Sequence, residues 1–285
     1  MSVAPSKATS VHVKPLESEQ VFNLCSNALL LETAMAFHSA EPFDAEIVST
    51  AAELLRLLNC FTAAKDSEVG TLGAHVREET ISSLMTSELA MRFSQQSSHF
   101  ESVLGSLPSC ALPSDWHSSF LWAGQLPIVL DVKEGKNSAS KPGQGQMDIS
   151  LAIKFSADFL THCAKRGMLP VAFIELTKGN ISQKANQAFC TAVGCMQHLH
   201  GAGCVFPILG VTLSADKICC AAYCPDEKRK LSCVQIGRED VSADSLCRLI
   251  RAMLFWGVGV QRFMRGPHWF QMQPAQNVVF SGAFR

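Results

Sequence analysis

Acidic side chains stand at the ends of two apolar runs, and a segment typical of a helix follows the second run. The apolar run 169–174 ends on Glu175, and Lys178 follows three residues later. Asp148 stands at the head of the other run, and Gln187 lies near the polar start of the following helix. Two acids and a lysine at strand ends, followed by a helix with glutamines, are the parts of a metal-dependent phosphodiesterase site.

The chemistry of phosphodiester hydrolysis explains why these residue types would be needed. The reaction requires an activated water and the neutralisation of charge on the scissile phosphate, and Mg²⁺ held by carboxylate oxygens provides both. Asp148 and Glu175, on adjacent strand ends, are the candidate metal ligands. Lys178 would orient the attacking water or stabilise the developing negative charge. Gln187 would contact the site or the substrate backbone.

The region from about Glu88 to Trp256 resembles the PD-(D/E)xK nuclease superfamily, in particular the divergent members found in Crinkler-type effectors. The matching pieces are Asp148 entering a strand, the segment 173–178, and Gln187 in the next helix. The resemblance implies a restriction-endonuclease-like fold and an Mg²⁺-dependent nuclease that acts on DNA or RNA.

The same resemblance implies a further acid on the helix that precedes the strands. Glu88 is the best candidate, ahead of Glu78 and Glu79. It falls on one helical face with three apolar residues, which are Ile81, Leu84 and Met85. A carboxylate on an apolar face needs a partner.

Two registers of the motif are open in this sequence. The superfamily has one residue between the acid and the lysine, whereas two residues separate Glu175 from Lys178, so a strand distortion is needed to place both on one side. Asp131 and Lys133 have the usual spacing, with Asp115 upstream as a partner. A long loop rather than a helix is expected after Lys133, which disfavours this second register.

Structural interpretations of the same residues also stay open. Asp148 would cap a helix if the segment 147–166 were helical rather than extended. Glu175 and Lys178 would then be an exposed pair at a strand end, which contributes little to stability. Gln187 would be an ordinary residue of a helix surface.

Hydrophobic periodicity predicts an α+β (α/β) protein with a small mixed β-sheet flanked by helices and an N-terminal helical region. The predicted helices are 17–38, 44–64, 75–96, 182–200 and 244–256. The predicted strands are 126–133, 147–155, 169–176, 204–213, 217–224 and 231–236, with a flexible loop at 137–146. The expected domain organisation is a disordered N-terminus at 1–15, a helical hairpin region at 16–72, the nuclease-like domain at 73–260 and a C-terminal tail at 261–285.

Composition limits the classes of protein. Of the 285 residues 47% are hydrophobic, enough for a sizeable core, and no uncharged segment has the length of a membrane span. The N-terminus has no apolar leader, and the 12 cysteines form no CxxC pair. An intracellular protein, cytoplasmic or nuclear, with free thiols and no membrane partner is therefore expected.

Charge is distributed unevenly along the chain. Residues 16–105 carry thirteen Asp and Glu against four Lys and Arg, whereas residues 246–285 carry five Arg and no acid. The C-terminal arginines, including Arg248 and Arg251, lie among aromatic residues and suggest a nucleic-acid contact; as an alternative, they are solvated or face another subunit. A second hypothesis is therefore an inactive nuclease-like or unrelated α/β module that binds proteins through its acidic helices or basic tail.

Overall fold

Helices pack on a six-stranded sheet in the computed structural model, which describes residues 18–66, 78–93, 119–132, 141–154, 168–177, 181–201, 207–225 and 231–265. The helices are α1 (Ser18–His38), α2 (Ala45–Asp66), α3 (Glu78–Phe93), α4 (Ile181–Gly201) and α5 (Ala243–Arg265). The strands are β1 (Ser119–Val132), β2 (Lys141–Lys154), β3 (Met168–Leu176), β4 (Ile208–Leu213), β5 (Lys217–Pro225) and β6 (Leu231–Asp240).

The strands are arranged side by side in chain order, from β1 at one edge to β6 at the other. Strands β1, β2 and β3 are antiparallel, β3 and β4 are parallel, and β4, β5 and β6 are antiparallel again. A parallel pair needs a crossover connection, and α4 provides it between β3 and β4. The end of β3 and the start of α4 therefore come together at the centre of the sheet.

Alternation along the strands separates two faces of the sheet. Phe173 points to the face covered by α4, where its ring lies 6.1 Å from that of Tyr223, and Tyr223 in turn contacts Phe189 of α4. On the other face, a Cβ added at Gly237 of β6 would lie 2.2 Å from the ring of the buried Phe37 of α1. The sheet is thus sandwiched between α4 and the layer that contains α1.

The α+β class, with helices around a mixed sheet, is confirmed. A single cluster of buried apolar side chains contains residues of all five helices and of strands β1 to β6. The helices α1 and α2, expected to form a separate hairpin region at 16–72, pack against α5. The boundary at 72/73 stays a prediction, and the segment 1–15 lies outside the described residues.

The predicted secondary structure is wrong in several places, and β1 begins at Ser119, seven residues before the predicted start at 126. Residues 141–146, expected to belong to a flexible loop, form the first half of β2, because they pair with residues 127–132 of β1 and this pairing outweighs the low strand propensity of Gly and Pro. Helix α5 does not end near Trp256 but continues to Arg265, into the predicted tail. Gly259 lies inside it, where Leu29 of α1 approaches so closely that an added Cβ would be 2.2 Å from its Cδ1.

The described helices include none that is long and apolar enough to cross a membrane. The cysteines with described side chains are free thiols; Cys195, Cys220 and Cys247 are buried, whereas Cys60, Cys190 and Cys233 are exposed.

Arg251 of α5 joins this helix to the end of α1. It is 6% exposed, and its guanidinium donates to the backbone oxygens of Ala36, Ser39 and Glu41 at 2.9, 2.6 and 3.1 Å. The ring of Phe43 lies 4.5 Å from its Cζ. Of the two interpretations of the C-terminal arginines, neither a nucleic-acid contact nor a solvated side chain applies to Arg251, because it is buried and its donors satisfy carbonyl groups at the C-terminus of α1. Arg248 is also paired, with Glu239 at 2.5 Å.

Replacement of Arg251 by Met is expected to lower the free energy of unfolding by about 2 to 4 kcal/mol, because the substitution leaves buried carbonyl groups without donors. Urea denaturation followed by circular dichroism measures the change. Arg56→Met is the matched control, since Arg56 is exposed and pairs only with Glu53 of its own helix, and it should change stability little. Equal stability of the two variants would show that Arg251 does not hold α1 to α5.

Candidate active site

Asp148 and Glu175 lie next to each other on neighbouring strands. The pair Ile149 and Ile174 in the register of β2 and β3 places Asp148 directly opposite Glu175. Side chains at such positions have Cβ atoms about 5 Å apart, and each carboxyl group is close enough to the other to influence its pKa. The prediction that these two acids converge, made from two separate apolar runs, agrees with this geometry.

Both acids are buried and have further protein donors. Asp148 is 8% exposed, and its Oδ2 accepts a hydrogen bond from the backbone amide of Leu176 at 2.8 Å. Glu175 is fully buried, and its Oε1 accepts from the Thr191 hydroxyl at 2.6 Å. Its Oε2 accepts from Nε2 of Gln187 at 3.0 Å. The two carboxyl groups are thus held in fixed positions.

Burial makes it costly for both groups to carry a charge. It raises the pKa of Glu175 to about 7; the hydrogen bond from Thr191 opposes this rise, and the nearby Asp148 adds to it. Burial also raises the pKa of Asp148, although the Leu176 amide favours its charged form. Two adjacent carboxyl groups with raised pKa values need a proton or a cation between them.

Helix α4 provides the polar side chains that face this pair. Gln187 and Thr191 are one turn apart, at i and i+4, so they lie on one side of the helix. The predicted role of Gln187 at the site agrees with its bond to Glu175. Thr191 was not predicted, because a threonine within a helix sequence usually bonds to its own backbone.

Lys184 and Glu78 form an ion pair close to the polar side chains of α4 that face the acid pair. Nζ of Lys184, on α4, is 3.1 Å from Oε1 of Glu78, the first residue of α3, and their side chains are 20% and 35% exposed. The charge of Lys184 lowers the pKa of both Asp148 and Glu175, whereas that of Glu78 raises the pKa of Asp148. Both residues are therefore within electrostatic reach of the acid pair.

The structure places Glu88 in a different environment from Glu78. Its carboxylate is 13% exposed and accepts from Nε of Arg92 at 2.5 Å, and Arg92 also bonds to Ser49 of α2. The expected apolar face is only partly formed, since Ile81 and Met85 are buried but Leu84 is 48% exposed. Glu88 has a partner in Arg92, which also joins α3 to α2. Glu78, ranked behind Glu88 from the sequence, is the acid of α3 that the structure brings to Lys184.

A strained residue stands on the other side of Asp148. The pairs that flank it place Gln125 of β1 opposite Asp148, and Gln125 has a φ of 53°, an unusual value for a residue other than glycine. Its Nε2 donates to Oγ of Ser82 at 3.3 Å, and this hydroxyl donates to the carbonyl of Asp148. The backbone of β2 at Asp148 is thereby tied to α3. Such strain is concentrated at functional sites.

The remaining sequence candidates fall outside the described residues or elsewhere on the sheet. Lys178, Lys133 and Asp115 lie outside the described residues. Asp131 pairs with Pro142, six residues before Asp148, which corresponds to about 20 Å along the strand. Asp131 therefore belongs to a different part of the sheet from the acid pair. The alternative in which Asp148 caps a helix is wrong, since residues 147–154 are extended in β2.

The residues of the acid pair fit a magnesium ion by their chemistry. Mg²⁺ is bound through one or two carboxylates with water and substrate oxygens as its other ligands, and a cation between Asp148 and Glu175 would replace the shared proton. Among the described residues, no cluster of three or more His, Cys, Asp or Glu side chains is arranged to hold a metal ion. A metal ion bound here would therefore have these two acids as its protein ligands, completed by water and substrate.

No protein-family model matches the chain, and no curated protein sequence matches it significantly.

The raised pKa of Glu175 predicts a pH-dependent stability. The unfolded chain releases this proton near pH 4.5 and the folded protein near pH 7. Between these values the folded protein binds more protons, so the free energy of unfolding should fall as the pH rises, by up to about 1.4 kcal/mol per pH unit. Glu175→Gln, which resembles the protonated acid, should make this part of the profile flatter.

The measurement is urea denaturation at several pH values in metal-free buffer. Glu79→Gln, a change at an exposed position of α3, should keep the wild-type slope. An unchanged slope in Glu175→Gln would contradict the assignment of the proton to the acid pair.

Proposed function

We propose that the protein is a metal-dependent phosphodiesterase that acts on DNA or RNA, with Asp148 and Glu175 as ligands of Mg²⁺. The observation that carries the proposal is the placement of two buried carboxyl groups at directly opposite positions of neighbouring strands, with donors from the helix that follows the second strand. The restriction-endonuclease-like fold and the relationship to Crinkler-type effectors are part of the same proposal. They are supported by the order of two acids on successive strands followed by Gln187 on the next helix.

A bound Mg²⁺ would activate water and neutralise charge on the phosphate. The chain's own residues prepare this site. Thr191 and Gln187 fix both oxygens of Glu175, and the amide of Leu176 fixes Asp148, so little reorganisation is needed when a ligand binds. The free thiols are compatible with a reducing, intracellular location, which is also part of the proposal.

Mutation of the acid pair should abolish cleavage. Asp148→Asn and Glu175→Gln keep the shape of each side chain but remove the charge that binds the metal, so each should lower cleavage by at least about 100-fold. Gln187→Ala, which removes a donor that orients Glu175, should lower it by about 10- to 100-fold. The assay uses single- and double-stranded DNA and RNA with Mg²⁺ or Mn²⁺.

Asp131→Asn is the matched control, because Asp131 is an acid of the same sheet outside the pair, and it should retain wild-type cleavage. Loss of cleavage in Asp131→Asn, with activity kept in Asp148→Asn and Glu175→Gln, would move the site to the alternative register at Asp131 and Lys133. The absence of cleavage with every substrate and metal would refute the enzymatic proposal.

A second candidate function is an inactive nuclease-like or unrelated α/β module that binds another protein. The observation in its favour is that the oxygens of Asp148 and Glu175 already have donors from the protein and that both groups are buried. In that case the acid pair would only join β2, β3 and α4.

Metal binding distinguishes these two functions without an activity assay. If the acid pair binds Mg²⁺ or Mn²⁺ in the folded state only, the metal should stabilise the wild type by about 2.7 kcal/mol at a concentration of 100 Kd. Asp148→Asn should lose this effect, and Asp240→Asn, which changes an exposed acid of β6, should keep it. Thermal denaturation with and without metal measures the difference; equal curves for the wild type would favour the inactive module.

A further inference from the structure

Lys184 is the residue nearest the N-terminus of α4 in a polar stripe on this helix. Its spacing from Gln187 is three residues, and Thr191 follows four residues later, so the three side chains lie along one side of the helix. Gln187 and Thr191 both donate to Glu175, which fixes the direction of the stripe toward the acid pair. Lys184 is thus one turn nearer to the N-terminus of α4 than the residues that hold Glu175.

The local charge is unbalanced in favour of acids. The charge of Glu78 acts on Asp148 and that of Asp148 acts on Glu175, whereas the charge of Lys184 favours the charged form of both members of the pair. Its ammonium group contacts the carboxylate of Glu78, which is 35% exposed. A partly exposed ion pair of this kind contributes little to stability, so the ammonium group can exchange partners at low cost.

We propose that Lys184 binds a non-bridging phosphate oxygen of the substrate, and that Glu78 holds Lys184 in place until the substrate arrives. This inference rests on the proposed phosphodiesterase function and deepens it. It assigns the cationic role to a residue of α4, whereas the sequence motif suggests Lys178. A lysine ammonium is a point charge with three donors, so it can keep one hydrogen bond to Glu78 while it contacts a phosphate.

Separate substitutions of Lys184 and Glu78 test the role assigned to Lys184. Lys184→Gln and Glu78→Gln both break the ion pair, but only Lys184→Gln removes the positive charge. Lys184→Gln should lower kcat/KM for cleavage by about 100-fold, whereas Glu78→Gln, which keeps the charge of Lys184 but loses the group that holds it in place, should lower kcat/KM by less than about 10-fold. Lys184→Arg, which keeps the charge, should recover part of the activity.

Binding provides a second readout that a structural role would not change. Fluorescence anisotropy of a labelled oligonucleotide of about 20 nucleotides, DNA or RNA according to the cleavage result, gives the dependence of log K on log salt. This slope is negative, and Lys184→Gln should reduce its magnitude by about 0.7 to 1, which corresponds to the loss of one phosphate contact. Glu78→Gln should leave the slope unchanged.

The outcomes separate the inference from the function on which it rests. An active wild type with equal losses in Lys184→Gln and Glu78→Gln would show that the ion pair is structural and would overturn the inference alone. A Lys184→Gln variant with the cleavage activity and the salt dependence of binding of the wild type would also overturn the inference alone. A wild type that neither binds nor cleaves the oligonucleotide with Mg²⁺ or Mn²⁺ would overturn the inference and the proposed function together.

Discussion

The burial of the carboxyl groups of Asp148 and Glu175 at opposite positions of β2 and β3 sets the main physical constraint on this protein. Two acids that are buried side by side repel each other when both are charged, and their burial adds a desolvation cost. Three donors stabilise the two carboxyl groups by hydrogen bonds: the Leu176 amide at the end of β3, and the side chains of Gln187 and Thr191 of α4. The pairing of β2 with β3 and the position of α4 are therefore linked through these oxygens.

The same constraint extends to α3 through neutral hydrogen bonds and one ion pair. Ser82 bonds to the carbonyl of Asp148, and Gln125 bonds to Ser82 from a strained backbone conformation. Glu78 reaches Lys184 at the start of α4. The helices on either side of the acid pair are thus joined by polar contacts, while the sheet below them is held by the apolar core.

The sequence allowed the class of fold and the strand that ends near Glu175 to be predicted, because the apolar run 169–174 is a strong local signal, whereas the run that contains Asp148 was compatible with a strand or a helix. The directly opposite positions of these two acids depend on the register of β2 against β3, which the alternation along each strand restricts but does not by itself fix. The extended conformation of residues 141–146 depends on β1, and the choice of Glu78 over Glu88 depends on Arg92 and Lys184. These features come from partners that are distant in sequence, so propensity and spacing could not reveal them.

The bonds of Arg251 have a consequence for the order of folding. They join α5 to carbonyl groups that lie between 210 and 215 residues earlier in the chain. A contact with so large a sequence separation forms slowly, because a long loop must close first. During synthesis α5 must leave the ribosome before α1 can dock in this way, so apolar residues of α1 that pack on α5, such as Leu29, stay uncovered until then. Such exposed surfaces are the ones to which chaperones bind.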